Sequence, residues 1–295
     1  MTLIDGKALF SNIKNGLSLQ VASMVSDGRR PPHLAAILVG DNPASKTYVN
    51  AKVKACKEIG FNSTVIEYPE NVSQSELLSK IEEINHSNNI DGLIVQLPLP
   101  NHIDENVVTH SIHHYKDVDG FHPINIGRMV LGLPCYIPAT PLGIISLLKE
   151  YKIDTSGKKC LVIGRSHIVG TPISILMSRN NSIGNATVTL AHSKTKNLSA
   201  LTLGADIIIV AMGVPSFLKS DMVKEGVVII DVGIHRVKSD HTKSGFKLVG
   251  DVDYDDVKNK ASYITPVPGG VGPMTIASLL TNTLQSAKKM IYSHT

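Results

Sequence analysis

KKCLVIGRSHIVGTP, residues 158–172, reads as a buried strand running into Gly164 and a helix that begins at Gly170. A parallel strand covered on both faces is a near-continuous apolar run, as in Cys160–Ile163. A glycine turn that opens a helix points backbone N–H groups at a phosphate, which is the geometry of a dinucleotide loop. Ser166 replaces the middle glycine of the GxGxxG fingerprint, so this turn alone leaves an ordinary βα connection open. The following strand discriminates. In ATVTLAHSKT, residues 186–195, it ends in Ser193 and Lys194, where an NAD site places a carboxylate for the ribose hydroxyls. A hydroxyl and a cation, with Arg165 on the first loop, suit the extra 2′-phosphate of NADP. DVGI, residues 231–234, ends another apolar run and brings Gly233 and Ile234 to the same edge of the sheet.

Outward from this unit, apolar runs alternate with amphipathic segments, the pattern of parallel α/β architecture. Strands are expected at 34–40, 63–68, 92–97, 159–164, 186–191, 206–211 and 227–232. Helices are expected at 43–59, 73–88, 142–151 and 168–179. The turn-rich text LGLPCYIPATPLG, residues 131–143, marks a boundary near 140. The expected architecture is two α/β domains flanking a cleft, the second of Rossmann type over 141–272. A further helix follows a Gly/Pro-rich loop near 273, and periodicity does not say where it docks.

The chain has 295 residues, 42% of them hydrophobic, and a formal charge of +4, enough to bury two cores and mildly favourable to small anions. Only 4% of residues are aromatic and the cations are scattered, so neither nucleic acid nor membrane is indicated as a partner. MTLIDGKALF lacks the apolar core of a secretory signal, which makes cytoplasmic location the expectation. Cys56, Cys135 and Cys160 are too few and too far apart for a disulfide framework or a cysteine metal site. The histidines between His102 and His122 have no recognised ligand spacing, so no metal is expected.

In TYVNAKVKAC, residues 47–56, Lys52 stands where a helix should be apolar. The helical stripe is expected on Ala44, Tyr48, Ala51, Ala55 and Ile59, with Val49 and Val53 beside it and Lys52 between the two groups. A lysine stem can snorkel out of such a face. If the amine is enclosed instead, desolvation lowers its proton affinity. A lysine moved from ~10.4 to near 7 has its ammonium disfavoured by about 4 kcal/mol and can exchange a proton at neutral pH. Gln96 ends the run GLIVQL before two prolines, a place where an open α/β sheet binds ligands. In KDVDGFHP one of Asp117 and Asp119 is expected to brace the turn.

Taken together, YVNAK (48–52), DGLIVQLPLP (91–100), KDVDGFHPINIGR (116–128), GRSHIVGTP (164–172), HSKT (192–195) and TPVPGGVGPMT (265–275) resemble the bifunctional methylenetetrahydrofolate dehydrogenase/methenyltetrahydrofolate cyclohydrolase family over nearly the whole chain. The resemblance implies NADP-dependent oxidation of 5,10-methylenetetrahydrofolate and hydrolysis of the methenyl product to 10-formyltetrahydrofolate, in one pocket of a homodimeric enzyme. It implies that Lys52 is the catalytic lysine, that Tyr48 stacks on the folate, that Gln96 tunes the lysine and that Asp119 binds the pterin edge. Leu97, Pro268, Gly269 and Gly270 would line the substrate site, and Gly164, Arg165, Ser166, Ser193 and Ile234 would contact NADP. It also implies that the C-terminal helix, 273–295, returns to the first domain, 1–140. The chain departs from the family pattern at Ala139, where a cysteine is common, and in a longer segment near 180–188. A dehydrogenase of another small acid, similar to shikimate dehydrogenase, is the alternative on the same fold, and a non-catalytic folate or nucleotide binder is the alternative in another class. YVNAK, QLPLP and DVDG argue against the first, and the presence of Lys52 against the second.

Overall fold

The computed structural model describes residues 1–240, 242 and 245–292. In chain order the elements are β1 (Thr2–Leu3), α1 (Gly6–Ser26), β2 (His33–Val39), α2 (Pro43–Ile59), β3 (Asn62–Tyr68), α3 (Gln74–His86), β4 (Gly92–Val95), α4 (Glu105–Ser111), α5 (Pro123–Leu131) and α6 (Ala139–Glu150). They continue with β5 (Lys159–Ile163), α7 (Gly170–Ser178), β6 (Thr187–Ala191), α8 (Leu198–Gly204), β7 (Ile207–Val210), β8 (Val227–Asp231), β9 (His235–Lys238), β10 (Phe246–Val249), α9 (Tyr254–Val257), β11 (Ala261–Ile264) and α10 (Val271–Ala287). The chain divides into two compact units, Met1–Phe10 with Thr140–Thr275, and Ser11–Ala139 with Ile276–Thr295.

The first of these units is a parallel sheet in the order β1-β11-β8-β7-β5-β6. The chain leaves β5 for β6 on one side and crosses back to β7 on the other, so strand order reverses at the carboxyl end of β5. Such a switch point opens a crevice for a nucleotide. The first ten residues, expected with the other domain, join this sheet because Thr2 and Leu3 pair with Tyr263 and Ile264 of β11.

The other unit holds a three-stranded parallel sheet, β3-β2-β4, with its own reversal at β2. Six of the seven residues of β2 are buried, as a strand covered on both faces requires. Ala35, Ile37, Val39, Leu93 and Val95 share one core with Leu77, Ile81 and Ile84 of α3 and Val108 of α4. Strand β4 stops at Val95, two residues short of the expected end, and Pro98 and Pro100 offer no N–H for further pairing. The segment after α4 then lies beside β4, with Leu93 N donating to Lys116 O at 2.8 Å.

The end of the C-terminal helix belongs to this same unit. Asn282 of α10 donates from Nδ2 to Val118 O at 2.8 Å and to Ile137 O at 3.1 Å, while Ser286 Oγ donates to Asp91 O at 2.7 Å. Asn282 is buried, and removing a donor from two enclosed carbonyls costs a few kcal/mol. Asn282→Ala is therefore expected to lower stability by about 2 kcal/mol, seen as a fall in the urea midpoint. An unchanged midpoint would show that these bonds do not anchor the helix.

Candidate active site

Helix α2 is set by its ends. Asn42 Oδ1 accepts from Ala44 N at 2.9 Å and Ser45 N at 3.2 Å, Pro43 occupies the first turn, and Gly60 closes the helix with φ +83°. Its buried face is Ser45, Val49, Lys52, Ala55, Cys56 and Ile59. The expected stripe is therefore displaced by about one residue: Ala44 and Tyr48 lie on the exposed side, and Lys52 is at the centre of the buried face. The lysine does not snorkel, since only 9% of it is exposed.

Lys52 Nζ donates to Gln96 Oε1 at 3.1 Å. The glutamine is fixed in turn, because its Nε2 donates to Leu97 O at 2.7 Å and its backbone N to Ile37 O at 2.9 Å. Burial pushes the Lys52 amine below the ordinary lysine range, and the negative charge of Asp119 opposes that. Asp119 is itself pushed up by burial and held back by Lys52. Tyr48, one turn before the lysine, keeps 37% of its surface exposed, leaving a ring face available to a flat ligand. Cys56, one turn after Lys52, is fully buried and its thiol is pushed up to about 12, so it stays protonated and acts as packing.

The two acids of DVDG divide their tasks. Asp117 is buried and accepts from Phe121 N at 3.1 Å, His122 N at 2.8 Å and Asn125 Nδ2 at 2.8 Å, which makes it the brace of the turn. Burial pushes it up to about 7 against the pull of those donors. Asp119 makes no side-chain hydrogen bond among the described residues, so both of its oxygens remain available as acceptors. A cavity of about 900 Å³ in the same unit, lined by Arg30, Lys116, Arg128 and Tyr292 among others, includes none of Lys52, Gln96 and Asp119. Among the described residues no group of three or more His, Cys, Asp or Glu is placed to hold a metal, and no helix is long and apolar enough to cross a membrane.

In the β5 unit, Gly164 lies at the switch point with φ +115°, and a Cβ there would meet Ala211 O at 2.1 Å. A Cβ on Gly170 would meet Gly164 O at 1.9 Å, so both glycines are demanded by backbone approach. Ser166 takes a different part from the glycine it replaces: its Oγ accepts from Val169 N at 3.2 Å at the start of α7. Arg165, Ser193 and Lys194 are exposed at the ends of the adjacent strands β5 and β6, with no carboxylate between them in either turn. Ile234 is 43% exposed just beyond β8. Pro268 is exposed on the loop before α10, while Gly269 and Gly270 are buried against the start of α1, where Lys7 N donates to Gly269 O at 3.0 Å.

Both halves of the chain match models of one enzyme family. Residues 4–119 match the tetrahydrofolate dehydrogenase/cyclohydrolase catalytic domain, and residues 138–291 match the NAD(P)-binding domain of the same enzymes. The chain belongs to the tetrahydrofolate dehydrogenase/cyclohydrolase family. It is 61% identical to the bifunctional protein FolD of Cytophaga hutchinsonii over 97% of this chain and 99% of that one. The crystal structure of the bifunctional FolD enzyme from Campylobacter jejuni superposes with a TM-score of 0.92 at 53% identity, covering 98% of this chain and 99% of that one. The Trypanosoma brucei enzyme, solved with NADP cofactor and inhibitor, gives a TM-score of 0.93 at 34% identity and 99% coverage of both chains. This family member is a bifunctional enzyme of one-carbon metabolism: a dehydrogenase that converts 5,10-methylenetetrahydrofolate to the methenyl form, and a cyclohydrolase that opens that ring to 10-formyltetrahydrofolate.

Proposed function

We propose that Lys52, Gln96 and Asp119 form the folate reaction centre with Tyr48 and Leu97 beside them, that Pro268, Gly269 and Gly270 take part in substrate binding as the family likeness implies, and that the cofactor is NADP. The observation that carries this reading is the buried Lys52 amine 3.1 Å from Gln96 Oε1. Bound NADP+ supplies the hydride acceptor. The substrate nitrogens stabilise the resulting methenyl cation, so no side chain need act as a base in that step.

Hydrolysis asks more of the protein. Water adds to the methenyl carbon and loses one proton to leave a neutral carbinolamine. As the bond to one ring nitrogen then breaks, that nitrogen gains a proton and the hydroxyl loses one to become the formyl carbonyl, so one proton is released overall. An amine with lowered proton affinity can take the first proton and return the second. Gln96 holds the amine toward one acceptor, and Asp119 offers two oxygens side by side to the N–H edge of the pterin.

The cofactor residues fit NADP by charge. Arg165 and Lys194 provide cations and Ser193 a hydroxyl at two neighbouring strand ends, which suits a 2′-phosphate and gives no acidic partner for an unmodified ribose. Gly164 and Ser166 shape the pyrophosphate turn. The spaced cysteines support a reducing, cytoplasmic compartment, and the family likeness supports a homodimer.

Purified protein given methylenetetrahydrofolate and either nucleotide should form reduced cofactor and methenyl product, with NADP+ preferred. No reduction with either nucleotide would sink the dehydrogenase reading. Lys52→Met should abolish hydrolysis of the methenyl compound while the protein stays folded, whereas hydrolysis at the wild-type rate would remove Lys52 from proton handling. Arg165→Ala should weaken NADP+ about tenfold and NAD+ much less, on the scale of one charge-assisted contact. Equal losses would contradict the 2′-phosphate assignment.

A further inference from the structure

The order β6-β5-β7-β8 sets a direction along the nucleotide crevice. With the 2′-phosphate read at the end of β6 and the pyrophosphate at the turn after β5, the nicotinamide half falls at the ends of β7 and β8. Two buried carboxylates lie beneath those strand ends. Asp251 is 0% exposed and Asp231 3% exposed.

Asp251 Oδ2 accepts from Met212 N at 2.8 Å and Gly213 N at 3.0 Å, both in the loop after β7. Its Oδ1 accepts from His235 Nε2 at 2.7 Å, immediately after the DVGI turn. Asp231, the last residue of β8, accepts from Gly233 N at 3.0 Å and Asp251 N at 2.9 Å through Oδ1, and from Val252 N at 3.0 Å through Oδ2. Its own N–H is satisfied by Thr265 Oγ1 at 2.7 Å. The packing admits no side chain at the neighbouring glycines: a Cβ on Gly233 would stand 2.4 Å from Asp251 Oδ1, and one on Gly250 would stand 1.8 Å from Asp231 Oδ2. Three segments that are far apart in sequence, 212–213, 233–235 and 250–252, are thus tied by two side chains.

We infer that Asp251, braced by Asp231 and His235, is a positioning residue that fixes the loops after β7 and β8 in the shape that receives the nicotinamide end of the cofactor. The bonds are charge-assisted and enclosed, so each is stronger and more directional than an exposed one. Neither carboxylate needs to touch the cofactor. Each acts through the backbone of Met212, Gly213 and Gly233, and through it on the neighbouring Ile234. This inference rests on the NADP reading of the crevice, and its test separates the two.

The cyclohydrolase reaction consumes no nucleotide and so reports the integrity of the folate site independently. Binding of NADP+ by calorimetry and hydrolysis of the methenyl compound without nucleotide would be measured on the whole chain for wild type, Asp251→Asn, His235→Ala and His235→Gln. Asp251→Asn should weaken NADP+ about tenfold, the effect of losing one charge-assisted bond, with hydrolysis within about twofold of wild type. His235→Ala should weaken NADP+ severalfold, and His235→Gln, which keeps an N–H donor for Asp251, should recover most of that loss. Unchanged NADP+ affinity in Asp251→Asn and His235→Ala would overturn the inference. Parallel loss of hydrolysis and NADP+ binding in both would also overturn it, because the network would then support the whole fold. Failure of the wild-type protein to bind NADP+ would instead overturn the cofactor reading.

Discussion

The unit formed by Ser11–Ala139 with Ile276–Thr295 encloses the Lys52 amine and holds it against Gln96 Oε1 at 3.1 Å. An ammonium taken out of water is disfavoured unless opposite charge or good acceptors replace the solvent. Here the replacement is partial: one amide oxygen in direct contact and the charge of Asp119 nearby. The result is a group whose proton is held less tightly than on an ordinary lysine, and the surrounding fold keeps it so. Helix α2 delivers the lysine, the end of β4 delivers the glutamine, and the segment lying beside β4 delivers the acid.

Each unit has a reversal of strand order beside its candidate residues, and the physical consequence is the same in both. At a reversal, successive crossover helices leave to opposite faces and the carboxyl ends of two adjacent strands are left open. In one unit the open ends belong to β2 and β4, next to Lys52 and Gln96. In the other they belong to β5 and β7, where Gly164 passes close under Ala211 O. Backbone N–H donors near these ends are tied off by side-chain acceptors, Asp117 in one unit and Asp231 with Asp251 in the other.

The long apolar strands and the two principal βα turns were legible in the sequence because their signals are local. Lys52 was legible as an anomaly, yet its face was misplaced by about one residue: Tyr48 and Ala44 look apolar in the helical count and lie toward solvent, while Ser45 is buried. The pairing of Thr2 and Leu3 with β11 was not legible, since two residues carry no periodicity and their partners lie some 260 positions away. The short β9–β10 hairpin and helices α4 and α5 escaped for the same lack of length. The Asp231–Asp251 network was hidden for a different reason. Its ligands are mainly backbone N–H groups, which every residue but proline possesses, and only the glycines at 233 and 250 hint that something lies close by.

The proton affinity of Lys52 is the most direct test of this picture. A heteronuclear NMR titration of isotope-labelled lysine side chains, with Lys52→Arg used to assign the resonance, would follow that amine separately from the exposed lysines. Lys52 is expected to lose its proton below the ordinary lysine value of 10.5. A Lys52 resonance that titrates at or above 10.5 would contradict this picture.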